Sequence, residues 1–260
     1  MAAAEPTLIQ SRDNPLLVRL RKLARDPAAY RKQGELWLEG EHLCSALRER
    51  GGQAVQAVVS ESAWRQPAQR ELARWAPRVA MVADALFESF SALPSAGQIG
   101  FVLTAPEPVA IQPDVATVIL DRVQDAGNVG SILRSASAFG IRQVLALQGT
   151  AALWSPKVLR AGMGAHFGLS LVEGLSSEAL GSLAVPWVGT SLAAVQWLHE
   201  SALPQPCAWL MGHEGQGVAP ELLARCAQVV RIPQPGGEES LNVAAAAAVC
   251  FYEGLRQRGG

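Results

Sequence analysis

The sequence predicts an α/β protein in which a small α/β domain precedes a larger domain built on a parallel sheet. Of the 260 residues, 49% are apolar and 17% are charged, which is typical of a globular protein with a proper core. From about residue 115 onward, apolar runs alternate with helical or loop segments, and this pattern favours a parallel sheet covered by helices. A proline-rich stretch separates this regular part from the residues before it.

The N-terminal part, 1–107, is predicted to form a basic helix followed by strands and helices. In DNPLLVRLRKLARDP, Asn14 is a plausible N-cap, Pro15 occupies the first turn and Asp26-Pro27 ends the helix, which places it at about 14–25. ELWLEGEHLCSALRERGG then predicts a strand running into a helix, and further strand signals continue up to QIGFVLTAPE. These residues are expected to form a small α/β domain.

Three prolines in ten residues mark Ala105 to Asp114, where no periodic apolar pattern is present. We therefore place a linker at 108–114 and a second domain at 115–260. Its predicted strands lie in VATVIL, QVLALQ, VPWVGT, CAWLMG and AQVVRIP.

The net charge of −1 means that a nucleic acid would have to be held by a local patch rather than by the overall field. One candidate patch lies between residues 19 and 32 and contains a single acid, Asp26. Its basic residues are Arg19, Arg21, Lys22, Arg25, Arg31 and Lys32. A solvated helix face explains the same charges equally well.

Several kinds of protein are disfavoured by what the sequence lacks. No stretch approaches the roughly 20 apolar residues that span a bilayer, and the N-terminus lacks the apolar core of a signal peptide, so we expect a cytoplasmic protein. The four cysteines are scattered, without a C-x-x-C pair or histidines at ligand spacing, so we expect no metal site. A phosphate-binding G-x-x-x-x-G-K-[ST] loop is also missing.

Polar side chains follow three of the predicted strands, at the sheet edge where parallel α/β folds bind ligands. LDRVQDAGNVGSILRSASAFG contains Asn128, which can cap the next helix, and Arg134, which falls nearly opposite the apolar face of that helix. MGHEGQGV places Glu214 among glycines, where a turn requires no acid. In PGGEESLNVAAAAAVCFYEGLRQR, Ser240 or Asn242 can cap the last helix, and capping explains one of these polar residues rather than both.

The same three segments, in this order, resemble the three motifs of the SpoU (TrmH-type) RNA methyltransferases of the SPOUT superfamily. DAGNVGSILRSASAFG is similar to the first motif, with its N-x-G-x-x-x-R core at Asn128, Gly130 and Arg134. LMGHEGQGV is similar to the second motif and RIPQPGGEESLNVAAAAAVCFYE to the third. NPLLVRLRKL, RKQGELWLEGEHL and QIGFVLTAPE are similar to the substrate-binding domain that precedes the catalytic domain in members acting on ribosomal or transfer RNA.

This resemblance implies a SPOUT α/β-knot, a deep trefoil knot in a parallel sheet with helices on both faces, preceded by an RNA-binding domain at 1–107. It also implies a homodimer through the C-terminal domain and S-adenosylmethionine as cofactor. Backbone groups at Gly212, Ile232 and Leu241 would hold the cofactor, with Thr190 nearby.

The reaction that the resemblance implies is methyl transfer from S-adenosylmethionine to a ribose 2′-hydroxyl in RNA, with ribosomal RNA favoured over transfer RNA. Arg134 matches the family's catalytic arginine, which is proposed as the base. Since an arginine pKa lies above about 12, orientation of the hydroxyl or stabilisation of its developing charge is an equal alternative. Asn128, Glu214, Ser240 and Asn242 match the polar residues around that arginine, and the six basic residues would contact RNA.

Two alternatives remain open. One is a SPOUT enzyme that methylates a base rather than a ribose, which the combination of Arg134 with Ser240-Leu241-Asn242 disfavours. The other is a non-catalytic RNA-binding or assembly protein on the same fold, which the intact set of polar residues disfavours.

Overall fold

The computed structural model describes residues 6, 8–91, 98–237 and 240–259. The chain packs as two units. The first contains the described residues up to Glu107 together with Trp154–Phe167, and the second contains Pro108–Leu153 together with the described residues from Gly168 onward. The packing of 154–167 with the first unit was not anticipated from the sequence.

Strands and helices alternate along most of the chain. The strands are β1 (Leu8–Ile9), β2 (Glu35–Glu39), β3 (Gln56–Ser60), β4 (Val79–Val82), β5 (Ile99–Thr104), β6 (Thr117–Leu120), β7 (Gln143–Leu147), β8 (Ser170–Leu175), β9 (Trp187–Thr190), β10 (Gln196–Trp197), β11 (Ala208–Met211) and β12 (Gln228–Arg231). The α-helices are α1 (Pro15–Arg25), α2 (Ala29–Gln33), α3 (Glu41–Glu49), α4 (Glu61–Trp64), α5 (Pro67–Arg74), α6 (Asp84–Phe90), α7 (Ala126–Ala138), α8 (Pro156–Gly162), α9 (Pro220–Leu223) and α10 (Val243–Gln257). Short 3-10 helices occupy Ala165–Gly168, Glu178–Ser182 and Leu198–Glu200.

The first unit is the α/β fold that the sequence predicts. Over its described residues it holds a five-stranded mixed sheet with the order β1-β4-β3-β5-β2. Strand β3 pairs parallel with β4 and antiparallel with β5.

Helix α1 has the start and end predicted for the basic helix. Asn14 caps it by accepting a hydrogen bond from the backbone N–H of Leu16 at 3.0 Å, and Pro15 opens the first turn. Its buried face consists of Leu17, Leu20, Leu23 and Ala24. The spacing of three and four residues between these positions sets the buried side and turns the basic residues away from the core.

The second unit is built on a parallel sheet, as predicted. Over its described residues the sheet has seven strands in the order β10-β12-β9-β11-β6-β7-β8, and the pairings are parallel. The five strands expected from apolar runs are present. The sequence did not predict the two edge strands, because β8 is only partly buried and β10 is two residues long.

Helices cover both faces of this sheet, and the side chains of β11 alternate between them. Ala208 and Leu210 lie in an apolar cluster with Leu222 of α9. Trp209 points to the other face, where its ring centroid lies 6.4 Å from that of Phe251 on α10. The trefoil knot stays a prediction. None of the described helices is long and apolar enough to cross a membrane.

Candidate active site

A cavity of about 530 Å³ lies at the carboxyl ends of β9, β11 and β12. The loops after these strands supply most of its wall, at the edge where parallel sheets bind ligands. Its lining includes the predicted residues Thr190, Gly212, Glu214, Ile232, Ser240 and Leu241. All four residues expected to hold a cofactor therefore lie around one cavity, whose size falls within the roughly 300–1,000 Å³ of small-molecule sites.

Gly212 allows two backbone segments to touch in the cavity wall. A Cβ at this position would overlap the backbone of Gly217 and Val218. The loop closes because His213 and Gly217 exchange two backbone hydrogen bonds of 3.0 and 2.8 Å. His213 Nδ1 also accepts hydrogen bonds from two backbone N–H groups further along the loop. Gly212, through this close contact, and Gly217, through its φ of 69°, are the glycines that this tight geometry needs.

Beside the cavity, Glu214, Asn128 and Asn242 form a continuous hydrogen-bonded chain, called the polar network below. Asn128 Nδ2 donates to Glu214 Oε1 at 3.0 Å, and Asn242 Nδ2 donates to Asn128 Oδ1 at 2.9 Å. Glu214 also accepts from the backbone N–H groups of Gln124 and Asp125 at 3.1 and 3.0 Å. The three sequence motifs thus meet through their side chains.

The polar network includes the start of α10 and lies at the start of α7. Asn242 caps α10, because its Oδ1 accepts from the N–H groups of Ala244 and Ala245 at 2.9 and 3.2 Å. Because Oδ1 faces the helix, Nδ2 is on the other side of the amide and donates to Asn128. The suggestion that Asn128 caps α7 is wrong. Asp125 is the cap, and its Oδ1 accepts from the N–H of Asn128 at 2.9 Å.

The carboxyl group of Glu214 is stabilised in its ionised form. Partial burial by itself raises its pKa. Hydrogen bonds from Asn128 and from the backbone N–H groups of Asp125 and Gln124 lower the pKa by more than burial raises it, so the pKa lies below the ordinary 4.5. A carboxylate with a lowered pKa is a weak proton acceptor. The geometry therefore suits Glu214 to orienting Asn128 rather than to removing a proton.

The sequence reasoning missed Asp121 and Arg122, which directly follow β6. Asp121 is buried, and Arg122 pairs with it through hydrogen bonds of 2.8 and 3.0 Å. Burial raises the pKa of Asp121, but the Arg122 guanidinium and the N–H of Ala219 outweigh this, so the pKa lies below its usual value. An acidic and a basic residue placed side by side directly after a largely apolar strand were the signal that could have revealed them.

Arg134 lies apart from the polar network. It is exposed on α7, opposite the buried Val129, Ile132 and Leu133, as the helical spacing predicted. It does not line the cavity, and its side chain makes no hydrogen bond or ion pair within the part of the chain that the structure describes. Of the five residues proposed for catalysis, the structure therefore joins Asn128, Glu214 and Asn242, places Ser240 in the cavity wall and leaves Arg134 at the surface.

The six basic residues of the predicted patch lie on α1 and α2. Arg19 Nε is 2.8 Å from a carboxylate oxygen of Glu35. Arg21 and Arg25 donate to backbone carbonyl oxygens at 2.7 and 3.0 Å. These three arginines are thus held by local partners.

The other three members of the patch are exposed. Arg31 lies with its guanidinium carbon 5.4 Å from the ring centroid of Tyr30. The side chains of Lys22 and Lys32 make no hydrogen bond or ion pair with any described residue. Their ammonium groups are available to solvent or to a ligand.

Comparison with known proteins gives matches along nearly the whole chain. Residues 116–252 match the SpoU rRNA Methylase family. The chain is 36% identical over 154 residues to the 23S rRNA (guanosine-2'-O-)-methyltransferase RlmB of Bordetella pertussis, covering 58% of this chain and 63% of that protein. It therefore spans less than two thirds of that relative's length. It is 31% identical over 225 residues to the 23S rRNA (guanosine(2553)-2'-O)-methyltransferase RlmP of Bacillus subtilis, covering 85% of this chain and 88% of that protein.

Solved structures agree with the fold. A crystal structure of an RNA 2'-O ribose methyltransferase is similar with a TM-score of 0.83 and 28% identity, covering 98% of this chain and 100% of that one. The SpoU methyltransferase AviRb of Streptomyces viridochromogenes, crystallised with the cofactor AdoMet, has a TM-score of 0.83 and 25% identity. That match covers 95% of this chain and 100% of AviRb.

Proposed function

Because the chain belongs to the SpoU rRNA methylase family, we propose that it methylates a ribose 2′-hydroxyl in structured RNA, with S-adenosylmethionine as the methyl donor. Both relatives described above are named as 2'-O-methyltransferases of 23S rRNA. Their names favour ribosomal RNA over transfer RNA as the substrate. Action on ribosomal RNA would place the protein in the cytoplasm.

The observation that carries this proposal is the polar network at the edge of the cavity. Asn128, Glu214 and Asn242 come from three separate segments of the chain, and each amide or carboxylate is oriented by the next. Such a preorganised set suits the positioning of a small polar group, because no side chain has to reorient during the reaction.

We assign cofactor binding to Thr190, Gly212, Ile232 and Leu241. The cavity that they line has room for a nucleoside-sized ligand, and its wall combines apolar side chains such as Leu223 with exposed backbone at glycine. Apolar contacts and backbone N–H and C=O groups are what a heteroaromatic ring requires of a binding site. When bound, the cofactor would supply an electrophilic methyl group.

The polar network would orient the ribose. Each of Asn128 and Asn242 uses one Nδ2 hydrogen within the network and has a second one for a ligand. The Ser240 hydroxyl in the cavity wall can donate or accept. The 2′-hydroxyl has to lose its proton as it is methylated, and the guanidinium of Arg134 would stabilise the negative charge that develops.

This role for Arg134 depends on a homodimer that we propose to form through the C-terminal unit. Helix α10 packs against α7 and presents Ala245, Val249 and Tyr252 to the surface at a spacing that places them on one face. Val249 and Tyr252 are 42% and 56% exposed, and such apolar faces commonly mark subunit contacts. A dimer formed there would bring Arg134 into a shared active site. We also retain the trefoil knot as part of this proposal.

The basic patch on α1 and α2 is proposed to bind the phosphate backbone of the RNA substrate. Lys22 and Lys32 are exposed, and the locally bonded Arg21 and Arg25 lie on the same helix as Lys22. Contacts of this kind give affinity without reading the sequence, so the choice of nucleotide would be made elsewhere.

The test is methyl transfer from S-adenosylmethionine carrying a labelled methyl group to unmodified ribosomal RNA, followed by digestion to nucleosides. We expect a labelled 2′-O-methylnucleoside, and less product with transfer RNA in a parallel reaction. A labelled base would contradict ribose methylation. Absence of both product and cofactor binding by calorimetry would contradict an enzymatic role.

A further inference from the structure

The loop 213–217, which forms one wall of the cavity, is held by the segment that follows β6. Glu214 accepts from two backbone N–H groups of this segment. Gln216 Oε1 accepts from Arg122 Nη1 at 3.0 Å. Just beyond the loop, the N–H of Ala219 donates to Asp121 Oδ2 at 2.8 Å. The loop is thus fixed near its start, near its end and just after it.

Arg122 occupies an unusual backbone conformation for this task. Its φ of 55° lies in the left-handed region, which residues other than glycine rarely adopt. The stem of its side chain crosses Gly149, where an added Cβ would lie 3.1 Å from Arg122 Cγ. The side-chain bonds therefore offset a backbone geometry that the residue would otherwise avoid.

The guanidinium of Arg122 serves two partners at once. Nε and Nη2 bind the two carboxylate oxygens of Asp121, which is 2% exposed and needs a paired charge. Nη1 remains for Gln216. The planar guanidinium makes this possible, whereas a lysine ammonium cannot present the same fixed fork.

We infer that Arg122 is a positioning residue that keeps the loop 213–217 in its ligand-binding shape through Gln216. This inference rests on the proposed function, which assigns the cavity to S-adenosylmethionine. By holding Gln216, Arg122 also restrains Glu214, two residues away, and so couples the cavity wall to the polar network. Arg122 itself need not touch the cofactor, because Gln216 and Glu214 line the cavity.

The experiment compares Arg122→Lys, Gln216→Ala and the double variant of the full chain. S-adenosylhomocysteine is the probe in calorimetry, so that affinity is measured without turnover. Each single change is expected to weaken binding by about tenfold, because both remove the same hydrogen bond between Arg122 and Gln216. For the same reason the double variant should bind no more weakly than the weaker-binding single variant. Gln216→Ala leaves the Asp121 pair intact and should keep the wild-type melting temperature. Arg142→Lys, an exposed arginine at the amino end of β7, is the matched control and should bind like wild type.

A second measurement uses the ligand-free protein. The N–H groups of Gly215, Gln216 and Gly217 all donate within the loop, so their hydrogen exchange reports its order. Faster exchange in both single variants supports the inference. Unchanged exchange, unchanged affinity, or additive losses in the double variant would overturn it. If wild type bound no S-adenosylhomocysteine, the proposed function would fail and exchange alone would decide the role of Arg122. Should Arg122→Lys not fold, Gln216→Ala decides by the same two readouts.

Discussion

The basic patch of the first unit and the polar network of the second use polar side chains in different ways. In the patch, each arginine has its own local partner: Arg19 contacts Glu35, while Arg21 and Arg25 each donate to a backbone carbonyl. In the polar network every link is shared, because each member fixes the orientation of the next. Loss of one patch residue leaves the others intact, whereas loss of one network residue leaves a neighbour without its partner.

This difference predicts which pairs of substitutions should have non-additive effects. Independent charges at a surface are expected to have additive effects, and members of one hydrogen-bonded chain are not. The proposed functions differ in the same way, since a phosphate backbone can be held by separate charges but a single hydroxyl has to be positioned by a concerted set.

The largest effect is expected for Arg134, which is exposed like Lys22 of the patch but lies on the helix that begins at the polar network. Arg134→Ala should lower the methyl-transfer rate by at least about 100-fold, because it removes a group that would stabilise developing charge. Affinity for S-adenosylmethionine should stay nearly unchanged, since Arg134 does not line the cavity. Single-turnover kinetics and calorimetry measure the two quantities. Arg142→Ala serves as the control and should keep the wild-type rate. A wild-type rate in Arg134→Ala would contradict the proposed mechanism.

The next effect is expected within the polar network. Asn128→Ala leaves Glu214 and Asn242 without one partner each and should slow methyl transfer by about tenfold to 100-fold, because both would lose the orientation that Asn128 gives them. Combined with Asn242→Ala, the losses should fall short of additivity. Rates of the two single variants and the double variant form the cycle, with Ser137→Ala at the far end of α7 as control. Full additivity would mean that the network does not act as one chain.

A smaller effect is expected from the basic patch. Replacing Arg21, Lys22 and Arg25 together by alanine should weaken RNA binding by about tenfold and reduce its salt dependence, since the slope falls by roughly 0.7–0.9 per lost phosphate contact. The measurement is RNA affinity across a salt series, and the three single changes should add up to the triple one.

The matched control for the patch removes the same charge elsewhere on the first unit, through Arg65, Arg74 and Arg78, all exposed. Equal losses in both triple variants would indicate a general charge effect. An unchanged salt slope in the patch variant would mean that α1 is a solvated surface helix that does not bind phosphate groups.

The smallest effect concerns pH and stability. Because the folded pKa of Glu214 is below the ordinary 4.5, its ionisation favours the folded state above that value, and this contribution is lost as pH falls through the folded pKa. Glu214→Gln should therefore be less stable than wild type at pH 7, and the difference should shrink as pH falls below 4.5. Urea unfolding at a series of pH values measures this. A difference that is constant from pH 7 to acid would contradict the assignment of the carboxylate as a hydrogen-bonded anion.

Local elements were predictable from sequence because their causes are local. The cap at Asn14, the proline after it and the apolar spacing of α1 all act within a few residues, and the helix forms where they place it. The apolar runs likewise marked the inner strands of the parallel sheet, of which β6, β7 and β11 are buried along their whole length. Short or half-exposed edge strands such as β10 carry no such pattern.

The candidate site was predicted through the resemblance to the SpoU family, which the family match confirms. Its residue types and their order could be read from the motifs, and the structure brings Asn128, Glu214 and Asn242 together. Arg122 was missed although the Asp121-Arg122 pair after a strand was visible, because the sequence does not show which distant residues that pair contacts. Its importance comes from a positive φ and from Gln216, which lies 94 positions away in the chain.

The sequence by itself thus determined the alternation of strands and helices, the buried face of α7, and which loops carry polar residues, because these depend on neighbours within a turn or a pleat. Only the tertiary structure decided which polar residues meet. Asn128 is 86 positions from Glu214 and 114 from Asn242, and their hydrogen bonds exist because β6 lies beside β11 and α10 begins at the same sheet edge. Hydrogen bonds need heavy atoms within about 3 Å, and for residues so distant in the chain only the folded strand order provides that proximity.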